Sequence, residues 1–159
     1  MQLARLDVTA PDLATLPVFV SDDEHPVVIR VTDADTVTML AGVCDEWSGS
    51  WGVWLSASED YSAGLIARDV KTLCTLLEID HVVIEAAHDA PAYAEVVTAL
   101  LSDEEVTLHN AVATITAAYN RPAPARAISV WSVEGDELRH GDTALRRGET
   151  RAAVTFFVA

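Results

Sequence analysis

The 159-residue sequence is poor in basic residues and in cysteine, and it has no long apolar run. Ten Lys and Arg residues stand against 25 Asp and Glu, a formal charge of −15, so a broad phosphate-neutralising face is excluded. No run approaches the roughly 20 apolar residues that span a bilayer, and no signal-peptide pattern opens the chain. We therefore expect no nucleic-acid partner, no membrane partner and a cytoplasmic location.

Motifs for metals, nucleotides and hydrolytic chemistry are also lacking. The two cysteines, Cys44 and Cys74, fall inside helical patterns, and no histidine stands at metal-ligand spacing, so no metal site is predicted. The seven glycines never cluster, which argues against a dinucleotide-binding loop and a Walker phosphate loop. The absence of a Gly-x-Ser-x-Gly elbow argues against hydrolase chemistry of that type.

What is present is an alternation of strand and helix patterns. Length and an apolar content of 50% predict a single domain covering residues 1–159. Buried strands are predicted at 26–31, 51–56 and 81–85, and each is followed by a helical pattern, at 37–47, 63–77 and 90–101. Ser62 and Asp89 are predicted to cap the second and third helices. We therefore predict an α/β fold in which parallel βαβ units form a partial or reduced TIM-barrel-like sheet.

The two ends of the chain depart from this alternation. Beyond residue 101 we predict a β-hairpin insertion at 106–116, a strand at 127–133, a polar, turn-rich stretch at 134–149 and a terminal strand at 152–158. Near the N-terminus, 3–8 and 18–20 are predicted less clearly as strands. Five or six strands in an incomplete barrel would leave open edges, so we predict a homodimer that buries them.

Glu85 and His88 are the candidate catalytic residues. Glu85 ends a predicted strand, where parallel sheets place their working loops, and a carboxylate with an imidazole there could act as an acid–base pair. The alternative is that Asp89 caps a helix, His88 lies in solvent and Glu85 merely ends the strand. Capping alone accounts for Asp89, which favours the alternative.

Candidate binding residues lie in two places. Trp54 and Ser56 share one face of a strand, where Trp54 lines a flavin or substrate pocket or else belongs to the core. Near the C-terminus, a second group of residues forms either a local anion site or an ordinary solvated surface. The solvated surface is the favoured interpretation, because runs of charge usually face solvent. This second group consists of Arg139, His140, Arg146, Arg147 and Arg151.

Four segments taken in order resemble the luciferase-like monooxygenases. Residues 64–73, Gly-Leu-Ile-Ala-Arg-Asp-Val-Lys-Thr-Leu, resemble that family's "LARDVATL" helix, and 81–85 resemble the strand after it. Residues 94–110 resemble the helix and "EPVTFHG" hairpin, and 119–131 resemble the proline-rich entry into the fifth strand.

The resemblance implies a (β/α)₈ barrel that uses FMN or a deazaflavin, with Glu85 at a catalytic strand end and Ser56 at a flavin-supporting one. Arg139, Arg146 and Arg147 would then hold the flavin phosphate. This chain is far shorter than a complete barrel of that kind, so a reduced form is expected. One expectation is a flavin- or deazaflavin-binding protein for which oxidoreductase activity stays open, and a chain that binds no cofactor is an equal alternative. The alternative is a non-catalytic luciferase-like scaffold or partner subunit that acts through homo- or hetero-oligomerisation.

Overall fold

A computed structural model describes residues 1–7, 24–31, 50–76, 78–102, 127–151 and 154–159, and the structural statements below concern these residues. Within them, eight strands form a closed barrel in chain order, and two helices are present. The strands are β1 Gln2–Asp7, β2 Val27–Val31, β3 Trp51–Ala57, β4 His81–Ala86, β5 Ser129–Glu134, β6 Glu137–His140, β7 Thr143–Arg151 and β8 Val154–Val158. The helices are α1 Ala63–Leu76 and α2 Ala90–Leu101.

The barrel joins a parallel half to an antiparallel half. Strands β1 to β5 pair in parallel with their neighbours, and β5 to β8 form an antiparallel meander. Strand β8 then pairs antiparallel with β1 and closes the sheet. The predicted fold class, an α/β fold of parallel βαβ units in a partial TIM-barrel-like sheet, is therefore wrong. The described part of the protein is mostly β, because the described residues from 127 to 159 close the barrel with four strands and contain no helix.

The stretch predicted as polar and turn-rich at 134–149 contains β6 and most of β7. Its turns are two-residue hairpin loops, Gly135–Asp136 and Gly141–Asp142, since Glu134 pairs with Glu137 and His140 pairs with Thr143. Both glycines have positive φ, 63° and 57°, as tight hairpin turns require. The segment looked like a loop because the outward residues of these strands are charged and exposed.

Inside the barrel, one apolar side chain from each of the eight strands meets the others in an inner cluster. Its members are Leu3, Val28, Trp54, Val83, Trp131, Leu138, Leu145 and Phe157, all at most 3% exposed. Eight strands enclose a space that side chains can fill, so this interior is a packed core. Alternate residues of β1 to β5 point the other way and form an outer cluster with the two helices.

Both helix caps predicted from the sequence are confirmed. The Ser62 hydroxyl accepts from the backbone N–H of Leu65 at 3.4 Å, and the Asp89 side chain accepts from that of Ala92 at 3.3 Å. Ahead of α1, the Tyr61 hydroxyl donates to Asp69 Oδ2 at 2.6 Å. Burial, together with this hydrogen bond, raises the pKa of Tyr61 far above its usual value.

Strands predicted at 26–31, 51–56, 81–85 and 127–133 are confirmed by β2, β3, β4 and β5. The terminal strand is confirmed by β8, and the first one by β1. The helix predicted at 37–47, the hairpin at 106–116 and the strand at 18–20 lie outside the described residues.

The fold bears on two predictions about partners, the homodimer and the absence of a membrane partner. The open edges that led us to predict a homodimer are absent from the described strands, because β1 and β8 pair. The homodimer therefore stays a prediction, but open strand edges no longer support it. As for membranes, neither described helix is long and apolar enough to cross one.

Candidate functional site

Charged side chains gather inside the barrel at one end, where the carboxyl ends of β1 to β4 lie. We call this end the rim. Pairing is in register, with Asp7 opposite Arg30, Arg30 opposite Trp54, and Ser56 opposite Glu85, so these residues share the inner face of the sheet. The rim cluster consists of Arg5, Asp7, Arg30, Trp54 and Glu85.

Arg30 bridges the two carboxylates of the rim cluster. Its Nη2 lies 3.3 Å from Glu85 Oε2, and its Nη1 lies 3.6 Å from Asp7 Oδ1. All three side chains are about one-third exposed, at 38% for Arg30, 35% for Glu85 and 31% for Asp7. Ion pairs with this exposure each contribute about 0–1 kcal/mol to folding stability, so this cluster adds little to the stability of the barrel.

Trp54 fixes the carboxylate of Glu85 from below. Its indole Nε1–H donates to Oε2 at 2.7 Å, and the ring itself is 1% exposed inside the barrel. A short hydrogen bond to an ionised acceptor is among the stronger ones. The contacts of Glu85 with Trp54 and Arg30 therefore both fall on Oε2, and Oε1 has no hydrogen-bond partner among the described residues.

Arg5 closes the barrel interior beneath the rim. Its Nε and Nη2 both lie 3.1 Å from Asp7 Oδ2, and its guanidinium carbon sits 4.6 Å from the Trp54 ring centroid and 5.9 Å from that of Phe157. The side chain is only 11% exposed. A guanidinium stacked on aromatic faces and tied to a carboxylate is satisfied, so Arg5 holds Asp7 in place and seals the inner cluster.

Of the predicted site residues, Glu85 and Trp54 are brought into direct contact, and Ser56 is exposed beside them. His88 lies exposed in the short loop after β4, and no hydrogen bond joins it to Glu85 or to another described residue. The acid–base pair considered for Glu85 and His88 is therefore not assembled in this arrangement.

The predicted arginines do not converge on an anion site. Arg139 donates to Glu137 at 2.8 Å and Arg146 donates to the same carboxylate at 3.0 Å. Hydrogen bonds from these two arginines, Arg139 first, lower the pKa of Glu137 below its usual value. Arg147 is exposed and lies opposite Phe157 in register, which places it on the inner face of β7 without an ion pair among the described residues.

The other two members of that predicted anion site are also engaged elsewhere. Arg151 pairs with Glu149 at 2.6 Å. At the end of the barrel opposite the rim, His140 donates from Nδ1 to the Val130 carbonyl at 2.9 Å. No cluster of His, Cys, Asp or Glu among the described residues could hold a metal ion.

A second polar group lies at this opposite end and is fully engaged within the core. Trp131 donates to Nδ1 of His81 at 3.2 Å, so Nδ1 is unprotonated and Nε2–H donates to Ser50 Oγ at 3.0 Å. His81 and Ser50 are 6% and 3% exposed. Hydrogen bonds in the core thus account for these side chains.

Sequence reasoning missed Arg5, Asp7 and Arg30. The signal was the strand period of two, because Arg5 and Asp7 alternate with apolar residues in β1 and Arg30 interrupts the apolar run of β2. In a sheet with apolar residues on both faces, isolated charges of this kind do not indicate a site. In a closed barrel they mark the inner face at its polar end.

Comparisons with known proteins add no relative. No protein-family model matches the sequence, and the searches of curated proteins and of solved structures found no significant match. The resemblance to luciferase-like monooxygenases, with the flavin or deazaflavin that it implies, therefore stays a prediction.

Proposed function

We propose that this chain binds a planar, polar small molecule at the rim cluster, and that an oxidised flavin or deazaflavin is that molecule. The observation that supports the proposal is that a hydrogen-bond donor, Arg30, and an acceptor, Glu85, lie side by side at the rim. Arg30 has N–H groups and Glu85 has the oxygen Oε1 that form no hydrogen bond with the described residues, while Trp54 anchors the other oxygen of Glu85. The flavin class comes from the sequence resemblance alone.

The packed interior bears on where such a ligand could sit. The inner cluster fills the barrel between its eight strands, and Arg5 covers the Trp54 ring from the rim side. A ring compound would therefore lie across the rim, against Arg30, Ser56 and Glu85. Carboxyl ends of parallel strands are the usual binding edge in sheets of this kind, which favours the same location by analogy.

Binding has more support than catalysis in this arrangement. Oε2 of Glu85 is held by Trp54 and Arg30, and no described imidazole, thiol or hydroxyl forms a hydrogen bond with that carboxylate. A general acid or base needs a partner group within hydrogen-bond reach, which the ligand itself would have to supply. We therefore place oxidoreductase activity second to ligand binding.

The test is a titration of the purified chain with oxidised FMN and with a 5-deazaflavin, followed by tryptophan and flavin fluorescence. We expect saturable quenching at micromolar ligand, because Trp54 contacts Glu85 directly. The Glu85→Gln variant should bind about tenfold more weakly, which corresponds to about 1.4 kcal/mol. Glu134→Gln is the matched control, since Glu134 also ends a strand, β5, but lies on its outer face and forms an exposed ion pair with Arg139. Flat titrations with both ligands would reject the proposal.

A second candidate is a non-catalytic scaffold or partner subunit. Its supporting observation is that the rim cluster is formally neutral, with two arginines already set against two carboxylates. Such a cluster can serve the barrel alone and leave function to an outer surface. Light scattering at micromolar concentration tests this candidate: a dimer without flavin binding would favour it, and a monomer that binds flavin would reject it.

A further inference from the structure

We infer that the rim cluster recognises the uncharged N–H and C=O edge of a heterocyclic ring, and that it does not recognise a phosphate. This inference rests on the proposed function and specifies which part of the ligand the chain reads. The relevant ligand class is that of cyclic imides and lactams, in which an N–H and a carbonyl lie side by side on one edge. The flavin and deazaflavin ring systems both carry such an edge.

The first argument is the one-point contact between Arg30 and Glu85. A guanidinium and a carboxylate can form two parallel hydrogen bonds, but here Nη2 reaches only Oε2, at 3.3 Å. Within the described part of the chain, Oε1 is therefore left as an acceptor beside N–H groups of Arg30 that have no hydrogen-bond partner there. A group that bridges them must donate to Oε1 and accept from Arg30, which a cis amide does and an ionised phosphate does not.

The second argument is charge. A phosphate that approached Arg30 would meet Asp7 and Glu85, whose oxygens lie 3.6 and 3.3 Å from the same guanidinium. Like charges brought this close repel. Arg5 does not offset this repulsion, because its guanidinium is bound to Asp7 and stacked on Trp54, and only 11% of its side chain is exposed. A neutral ring edge carries no such penalty.

The third argument concerns the arginines that the sequence offered for a phosphate. Arg139 and Arg146 both donate to Glu137. Arg147 alone among the three has no ion pair in the described part of the chain, and its register on the inner face makes it the one residue that could still reach a phosphate. It therefore belongs in the test.

The experiment compares riboflavin, FMN and 3-methylriboflavin, whose ring nitrogen N3 carries a methyl group in place of the hydrogen. Dissociation constants are measured for the parent chain by calorimetry. We expect riboflavin and FMN to bind within about threefold of each other, and N3-methylation to weaken binding by at least about tenfold. Tighter binding of FMN by tenfold or more that persists in Arg147→Ala would assign the phosphate to the rim cluster and overturn the inference, while leaving flavin binding intact.

The Glu85→Gln variant sharpens this comparison. Its amide oxygen would turn toward the N–H of Trp54, so the outward atom would change from an acceptor to a donor. Riboflavin should lose about tenfold in affinity, and 3-methylriboflavin should lose nothing further. Equal losses for both ligands would overturn the inference. If neither riboflavin nor FMN binds the parent chain, the proposed function fails and this inference falls with it.

Discussion

The two halves of the barrel share one interior but face different exteriors. In the parallel half, β2, β3 and β4 are buried on both faces, because the inner cluster lies on one side and the outer cluster on the other. In the antiparallel half, β6 and β7 bury a single residue each, Leu138 and Leu145, and their remaining residues are partly or fully exposed. What covers a strand from outside therefore decides how its sequence looks.

The same difference separates the charged residues. In the parallel half they point inward at the rim, where Arg30 bridges two carboxylates beside a buried tryptophan. In the antiparallel half Arg147 lies on the inner face, but Glu137, Arg139 and Arg146 point outward and join on the surface of the hairpin. The inward charges at the rim are where we propose that a ligand binds, whereas the outward ones on the hairpin face water.

Gly52 lies close against the neighbouring strand β4 in the parallel half. A Cβ at this position would overlap the backbone carbonyl of His81 on the neighbouring strand, so Gly52→Ala must push β3 and β4 apart. We expect a loss of about 4 kcal/mol in the free energy of unfolding, or no folded protein. Urea unfolding measures it.

Gly148→Ala in the antiparallel half is the matched control. Its Cβ would lie 3.3 Å from the Phe156 carbonyl oxygen, a contact that a small shift relieves, so we expect a loss below about 1 kcal/mol. Equal losses in the two variants would show that the parallel half is no more tightly packed at this point than the antiparallel half.

Leu138→Ala tests whether the antiparallel half contributes fully to the shared interior. The side chain is 0% exposed within the inner cluster, so its truncation should cost about 3 kcal/mol. Leu73→Ala is the comparison, because Leu73 is equally buried on α1 in the outer cluster. A cost below about 1 kcal/mol for Leu138→Ala alone would mean that the meander packs loosely against the rest of the barrel.

This contrast explains which elements the sequence predicts well. Strands β2 to β4 are mainly apolar runs, rich in β-branched residues in β2 and β4, and the caps that follow β3 and β4, Ser62 and Asp89, come from local hydrogen bonding. The two central strands of the meander, β6 and β7, were missed because each buries a single leucine among charged residues, a pattern that resembles a loop. Its Gly-Asp dipeptides at 135–136 and 141–142 were the available signal for two-residue turns.

The candidate site was predictable in part for a related reason. Glu85 and Trp54 stand out individually, at a strand end and as a large aromatic residue on one strand face. Their partners Asp7 and Arg30 come from strands that only closure and register bring alongside, with Asp7 opposite Arg30 and Arg30 opposite Trp54. A local pattern does not contain that register. The arginines near the C-terminus were overestimated because the pairing of Glu137 with Arg146 also depends on register.

Tyr61→Phe removes a buried hydrogen bond next to the parallel half. The lost donor to Asp69 should cost about 2 kcal/mol at neutral pH, because the acceptor is charged. Since the pKa of Tyr61 is raised in the folded state, its contribution is complete below pH 10 and is lost as the pH rises beyond that value. The difference in unfolding free energy between parent and variant should therefore shrink above pH 10. A difference that grows there would contradict this assignment.

Gly141→Ala perturbs only a turn of the antiparallel half. No atom would contact the new Cβ, so the cost is that of holding alanine at a φ of 57°, about 1 kcal/mol. Gly141→Asn should cost less, since asparagine tolerates the left-handed region better. Thermal unfolding of both variants measures the pair. Equal costs would indicate that something other than the backbone angle controls this hairpin.

Substitution of Glu137 in the antiparallel half is expected to have the smallest effect on stability. Like Tyr61, Glu137 has a pKa that the folded state shifts, but in the opposite direction. Its pKa is lowered in the folded state by Arg139 and Arg146, so its contribution is present above the usual carboxyl pKa and is lost as the pH falls through the folded value. Glu137→Gln should therefore be slightly less stable than the parent at pH 7 and indistinguishable from it in strong acid. Because the group faces solvent, added salt should reduce the difference at pH 7 as well. A difference that survives both strong acid and high salt would place Glu137 among the packed residues of the barrel instead of on its hydrated face.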